Sequence, residues 1–210
     1  MTNKAESANE LWQSMCEYER ELWRQGLIYV AGLDEAGRGP LAGPVAAAAV
    51  ILPAECFIPG LNDSKKLTEA SRERLEPLIK EQAISWTVAF VNHRVIDEIN
   101  ILEASRLAMM KAVARLAVLP QHLLTDALRL PTAIPQSNII HGDSLSVSIA
   151  AASVLAKNHR DRVMVRLAAA YPGYGLERHK GYPTQEHRQI IAEKGLSPIH
   201  RRSFRGCSPQ

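Results

Sequence analysis

Two apolar runs, about Leu27–Leu33 and Val45–Leu52, enclose Asp34-Glu35-Ala36-Gly37-Arg38-Gly39. This arrangement constrains the fold more than any other feature of the chain. A run of that length and composition reads as a buried strand. An acidic pair at its end is costly unless a partner or a metal ion compensates the carboxylates. The two glycines let backbone approach a ligand closely, and the arginine between them is suited to a phosphate. Carboxylates for metal beside amides and a guanidinium for phosphate point to a nuclease-type centre. Gly37-Arg38-Gly39 is not a P-loop, which needs Gly-Lys-Ser/Thr, nor a dinucleotide fingerprint, since the next glycine is Gly43.

The rest of the chain is read from the same periodicities. Leu11, Trp12, Met15, Tyr18, Leu22 and Trp23 fall at helical spacing, and Gly26 fits as the stop. Packing is the favoured role for this helix, with partner binding the minor reading. Thr68 opens a second helix, and Ile84–Val91 reads as a strand. A helix is expected over Val95–Leu119, with Asn100 a break in it. Leu123-Leu124-Thr125 reads as a strand ending in Asp126, and Ile139-Ile140 as one ending in His141-Gly142-Asp143. A helix from about Val147 to Ala170 is crowded with small residues that let it lie close to a sheet. Thr184 caps a last helix that ends at Gly195. Strands followed by alternating strands and helices give an α/β fold with a central mixed sheet flanked by helices.

Asp34, Asp126 and Asp143 each close an apolar run in this reading, so neighbouring strands would bring them to one sheet edge. Open α/β sheets bind ligands there. Hard oxygen donors without clustered Cys or His favour Mg²⁺ or Mn²⁺. One geometric caution concerns Asp34 and Glu35. Consecutive strand residues face opposite ways, so the chain must bend at Glu35 or Glu35 must contribute differently. The histidines 93, 122, 159, 179, 187 and 200 show no metal-ligand spacing and read as surface or packing residues. His179-Lys180 and Arg201-Arg202 are read as lining a duplex path through phosphate contacts. Lys157 and Asp161, four apart on a helix, read as an ion pair.

The bulk numbers bound the answer without deciding it. At 210 residues a single domain is the default. A net charge of +3 permits a polyanionic partner without demanding one. Cys16, Cys56 and Cys207 form no C-x-x-C pair and read as free thiols of a reducing compartment. No stretch is apolar enough to span a membrane and the N-terminus is polar, so a cytoplasmic protein with no membrane association is expected.

DEAGRGPLAGPV, NDSKKL, LLTDA, GDSLSVSIAAASVLAK followed by Arg160-Asp161, YPGYGLERHKGYPT and SPIHRRSF, in this order, closely resemble bacterial ribonuclease HII over about residues 27–205. The resemblance implies an RNase H-like fold, with 1–26 a polar leader plus helix and 206–210 a short tail. It implies an endonuclease acting on RNA–DNA hybrids and on duplex DNA 5′ to a lone ribonucleotide, leaving 3′-hydroxyl and 5′-phosphate ends. By motif, Asp34, Glu35, Asp126 and Asp143 are the implied catalytic and Mn²⁺- or Mg²⁺-binding acids. Gly37, Arg38 and Gly39 match the loop that reads the 2′-hydroxyl. Lys65 matches a phosphate contact, and Tyr182 the ring that stacks on the following sugar. A monomer is implied, without a known repair partner. His141 replaces a common Lys and Ala127 a usual Gly, the latter touching only the turn after the acid. A hybrid-binding module without chemistry, the sister enzyme ribonuclease HIII and a small-metabolite phosphatase are the rival readings. The four intact acids count against the first, the DEAGRG and HKGY wording against the second, and an open groove against the third.

Overall fold

The computed structural model describes residues 2–54 and 56–207, with side chains from residue 9 onward. Five strands form one sheet in the order β3-β2-β1-β4-β5, where β1 is Val30–Ala36, β2 Val45–Ile51, β3 Ser85–Val91, β4 His122–Asp126 and β5 Gln136–Ile139. β1, β4 and β5 run parallel, while β2 is antiparallel to both β1 and β3. The mixed α/β sheet expected from the element order is therefore the one found. Parallel neighbours share a carboxyl end, so the residues that follow β1, β4 and β5 meet at one edge.

Helix α6 (Val147–Ala170) covers one face and α4 (His93–Val113) the other. β2 is buried along its whole length because both faces are covered, and its run of alanines lets the helices come close. Gly32 shows how close: a Cβ there would stand 2.1 Å from the Ser148 carbonyl carbon of α6. The small-residue stretch of α6 buries Ala150, Ala151, Ala152 and Ala156 against this sheet. α6 also begins and ends where periodicity places it, with Ser146 accepting the Ile149 N–H as N-cap.

The N-terminal stripe becomes two helices, α1 (Thr2–Met15) and α2 (Glu17–Arg24), broken at Cys16. Trp12, Met15 and Cys16 are buried, whereas Leu11 and Tyr18, expected on the apolar face, are exposed. Glu19 is the unexpected member of the buried face. Its Oε1 accepts from Ser146 Oγ at 2.5 Å and from Ser148 N–H at 3.0 Å, so a carboxylate sits against the start of α6. Gly26, at φ +82, closes α2 as expected, with its N–H and that of Leu27 donating to Trp23 and Leu22 carbonyls.

Several boundaries move, among them β5, which is Gln136–Ile139 where Ile139-Ile140 was expected. β1 starts and ends three residues later than its apolar run suggests, because pairing with β2 carries it on to Ala36. α4 stops at Val113, short of Leu119, and is kinked at Asn100 (φ 67), whose Oδ1 then caps the Leu102 and Glu103 N–H groups. Two short helices went unread, α5 (Gly142–Leu145) and α7 (Leu176–His179). The remaining helices are α3 (Glu69–Gln82) and α8 (Gln185–Lys194), each capped by the threonine before it.

Gly32→Ala tests the close approach of α6 to β1. Overpacking at backbone contact is expected to cost about 1–3 kcal/mol, lowering the thermal midpoint by several degrees in a calorimetric scan.

Candidate active site

Four carboxylates gather at the shared carboxyl edge of β1, β4 and β5. Of the three aspartates read as strand ends, Asp126 alone is one. Asp34 lies inside β1, two residues before its end, and Asp143 lies in the first turn of α5, four residues beyond β5. Asp34 and Asp126 directly follow Leu33 and Thr125, the last residues paired between β1 and β4, and so stand side by side on the α6 face. The Gly142 N–H donates to Asp126 Oδ1 at 2.9 Å, which ties the turn carrying Asp143 to the end of β4.

Of the two alternatives for Glu35 the bend is absent: β1 stays paired with β2 through Glu35 and Ala36. Glu35 contributes from the other side of the strand, where its neighbour β4 has already ended. Asp34, Glu35 and Asp126 line one cavity of about 570 Å³ with Gly37, Arg38, Gly39, Lys65 and Tyr182. Asp143 adjoins it through Lys65, whose Nζ donates to Asp143 Oδ2 at 2.8 Å. Each of the nine site residues implied by the sequence motifs thus belongs to this one region.

The electrostatics are those of a cation-seeking site. Burial raises the pKa of Asp34 well above the usual carboxylate range, and the charges of Glu35, Asp126 and Asp143 add to it. Burial likewise raises Glu35 against the opposing pull of Arg38, and raises Asp126. Two cations answer the four acids, Arg38 at 3.3 Å from Glu35 Oε1 and Lys65 on Asp143. Glu35 Oε2 is buried with no hydrogen-bond partner. Among the described residues no three acidic, imidazole or thiol groups are already drawn around a common point. The excess negative charge, the unpartnered oxygen and the all-oxygen donor set nevertheless fit a hard divalent cation, for which Arg38 and Lys65 stand as competitors.

The glycine loop is held from behind by residues that sequence reading did not assign. Arg201, fully buried, donates to the carbonyls of Gly37 (2.7 Å), Arg38 (3.0 Å) and Gly43 (3.0 Å). Arg160, also fully buried, donates to Ala42, Pro44 and Lys180. Gly37 (φ +97) presses on it so closely that a Cβ would fall 1.9 Å from Arg160 Nε. Arg201 therefore does not line a duplex path; it organises the loop, and His179 is likewise buried. The only advance sign was a loop with more carbonyls than its own amides can satisfy. Arg72 and Lys157 were also missed as cavity lining. Both pair with Asp161 (3.6 and 2.7 Å), and Lys157 Nζ lies 5.5 Å from the Tyr182 ring centroid.

With this geometry in place, comparison with known proteins is decisive. The family model for ribonuclease HII matches residues 31–207. The chain belongs to the ribonuclease HII family. Ribonuclease HII of Bacillus mycoides is 54% identical over 200 residues, covering 95% of this chain and 78% of that protein. The solved ribonuclease H2 from Pyrococcus horikoshii OT3 superposes with a TM-score of 0.72 at 27% identity, over 85% of this chain and 94% of that one. Bst-RNase HIII, solved in complex with Mn²⁺, matches with a TM-score of 0.64 at 20% identity, over 86% and 68%, a likeness of fold alone. As a ribonuclease HII family member the chain has an RNase H-like fold and is a ribonuclease H, a hydrolase that cuts the RNA strand of RNA–DNA hybrids.

Two expectations follow from the site. Ala127, directly after Asp126, holds φ +56, where a side chain is strained. Ala127→Gly is expected to raise stability by up to about 1 kcal/mol, read as a higher urea midpoint with unchanged m-value. Asp34 binds its proton more tightly folded than unfolded, so its ionisation opposes folding as pH rises from the unfolded pKa through the raised folded one. Metal-free Asp34→Asn should therefore be more stable than wild type near pH 7. The difference should shrink as pH falls towards the unfolded value, as thermal melts in chelator at several pH values would register.

Proposed function

We propose that this ribonuclease HII incises duplex DNA on the 5′ side of a lone embedded ribonucleotide as well as cutting hybrids, leaving 3′-hydroxyl and 5′-phosphate ends. Residues 27–205 are the catalytic unit in this reading. The observation that carries the proposal is the sharing of one cavity by Asp34, Glu35, Asp126, the Gly37–Gly39 loop and Tyr182.

Asp34, Glu35, Asp126 and Asp143 hold Mn²⁺ or Mg²⁺. Bound there, the cation supplies positive charge to the scissile phosphate and acidifies the attacking water. The four carboxylates would fix the place of that cation at the sheet edge, and Lys65 holds a non-bridging oxygen of the phosphate. Backbone of the Gly37-Arg38-Gly39 loop, fixed by Arg201, meets the 2′-hydroxyl, the group that separates RNA from DNA at a single site. Gly39 leaves room beside Tyr182, where a Cβ would come within 3.9 Å of the ring edge. The half-exposed Tyr182 ring stacks on the sugar that follows, which favours deoxyribose there. Sugar and phosphate contacts carry no base identity, so cleavage is indifferent to sequence. The enzyme acts as a monomer in the cytoplasm on hybrid and ribonucleotide-containing duplexes.

A labelled duplex carrying one ribonucleotide tests this directly. Wild type should cut on the 5′ side with Mn²⁺ or Mg²⁺ and fall silent in chelator. Asp34→Asn should lower kcat/KM at least about 100-fold, since the charge stabilisation at stake is several kcal/mol. Efficient cutting of a uniform hybrid with none at the single ribonucleotide would overturn the junction reading and leave the hybrid activity standing.

A further inference from the structure

Tyr182 sits in a segment whose carbonyls are each held from inside. The Gly181 carbonyl accepts from Leu41 N–H (2.7 Å), that of Lys180 from Arg160 (3.1 Å) and that of His179 from Tyr182 N–H (2.9 Å). The Tyr182 carbonyl accepts from Thr184 N–H at 2.8 Å and meets His187 Nδ1 at 2.9 Å. His187 is fully buried, and its other ring nitrogen stands 3.1 Å from His200 Nε2, also buried. His200 Nδ1 in turn faces the Ser197 N–H at 2.9 Å and the Ser197 hydroxyl at 2.7 Å.

The Ser197 carbonyl is the more distant neighbour of His200 Nδ1, at 3.3 Å, so the shorter contacts favour one proton arrangement for neutral rings. An N–H faces His200 Nδ1, so that nitrogen keeps its lone pair and Nε2 carries the hydrogen. Across the 3.1 Å contact His187 Nε2 must then accept, which puts its own hydrogen on Nδ1, aimed at the Tyr182 carbonyl. His179 stacks on His187 with centroids 4.2 Å apart; its Nδ1 accepts from Gly181 N–H and its Nε2 meets the Tyr174 carbonyl. Burial pushes His179 and His187 below their ordinary values and His200 down to about 4, so all three are neutral at pH 7. The charged groups nearest them, Glu186 and Arg178, are paired with each other.

We infer that His200 and His187 form a one-way hydrogen-bond relay from Ser197 to the Tyr182 carbonyl, making them positioning residues for the ring that selects the RNA-to-DNA junction. The relay joins the SPIH turn to the HKGY segment fifteen residues before it, and both also hold the Leu41–Gly43 stretch through backbone hydrogen bonds. This rests on the junction role of Tyr182 given above. His187 aims the ring without touching substrate.

Paired substitutions at His187 separate its two bonds. In His187→Asn the side-chain NH₂ takes the place of Nδ1 and still reaches the Tyr182 carbonyl. In His187→Gln the terminal oxygen takes the place of Nε2, keeping His200 satisfied and releasing Tyr182. The readout is kcat/KM on a single-ribonucleotide duplex divided by kcat/KM on a uniform hybrid. That ratio should fall about five- to tenfold in His187→Gln, as for loss of about one hydrogen bond. It should stay within about threefold of wild type in His187→Asn. Imidazole ¹⁵N spectra of the metal-free protein at pH 7 should show the Nδ1–H tautomer at His187 and Nε2–H at His200. Opposite tautomers, or equal ratios in the two variants, would overturn the relay. Tyr182→Ala is the separate control. An unchanged ratio there would sink the junction role of Tyr182, whereas a lowered ratio there with normal selectivity in His187→Gln would sink the relay alone.

Discussion

The repulsion among Asp34, Glu35, Asp126 and Asp143 is what the rest of the molecule has to contain. Asp34 is held 5% exposed with three like charges around it. No folded chain holds such a group without a rigid support, because the simplest relief is for the strand end to move into solvent. The support is the sheet itself. β1 is clamped on one side by the full length of β2 and on the other by β4, and α6 presses on Gly32 two residues before Asp34. Stability given up at the acids is the source of their appetite for a cation, as is common where a fold departs from its own rules at a functional site.

A second support lies behind the glycine loop. Flexible glycines are useful for close approach but cost entropy to order. Here the ordering is done by two buried guanidinium groups, whose five-pronged donors suit clustered carbonyls. Arg201 fixes Gly37, Arg38 and Gly43, while Arg160 fixes the neighbouring Ala42 and Pro44 and reaches across to Lys180. Arg160 therefore joins the Ala42–Pro44 end of the loop to the segment bearing Tyr182. The histidine stack completes that segment from below.

Much of this was readable in one dimension. The small-residue run of α6, the threonine caps of α3 and α8 and the stop at Gly26 are local signals, and each appears where its residues stand. The acids and the Gly37–Gly39 loop were legible because carboxylates that follow apolar runs and paired glycines are unusual enough to stand out. The misreadings have a common cause, which is that partners distant in sequence decide them. β1 runs to Ala36 because β2 pairs with it, and Glu35 joins the cavity without a bend because β4 ends one strand away. α4 kinks at Asn100, where a side chain can cap a new start as readily as interrupt the old one. Arg201 and His179 look like nucleic-acid contacts in the sequence and are interior residues in the fold.

Alone, the order of residues determined the inventory: which acids exist, which loop can approach a ligand, which helix can lie flat on a sheet, and which family shares these blocks. These are properties of side-chain type and local spacing, and they survive without knowledge of any long-range contact. Tertiary structure alone decided direction. Whether an arginine reaches outward to a phosphate or inward to a carbonyl, and which nitrogen of His187 carries the hydrogen, depends on groups brought together from distant parts of the chain. A charged or polar side chain carries no label for inside or outside; only the partners the fold supplies give it one.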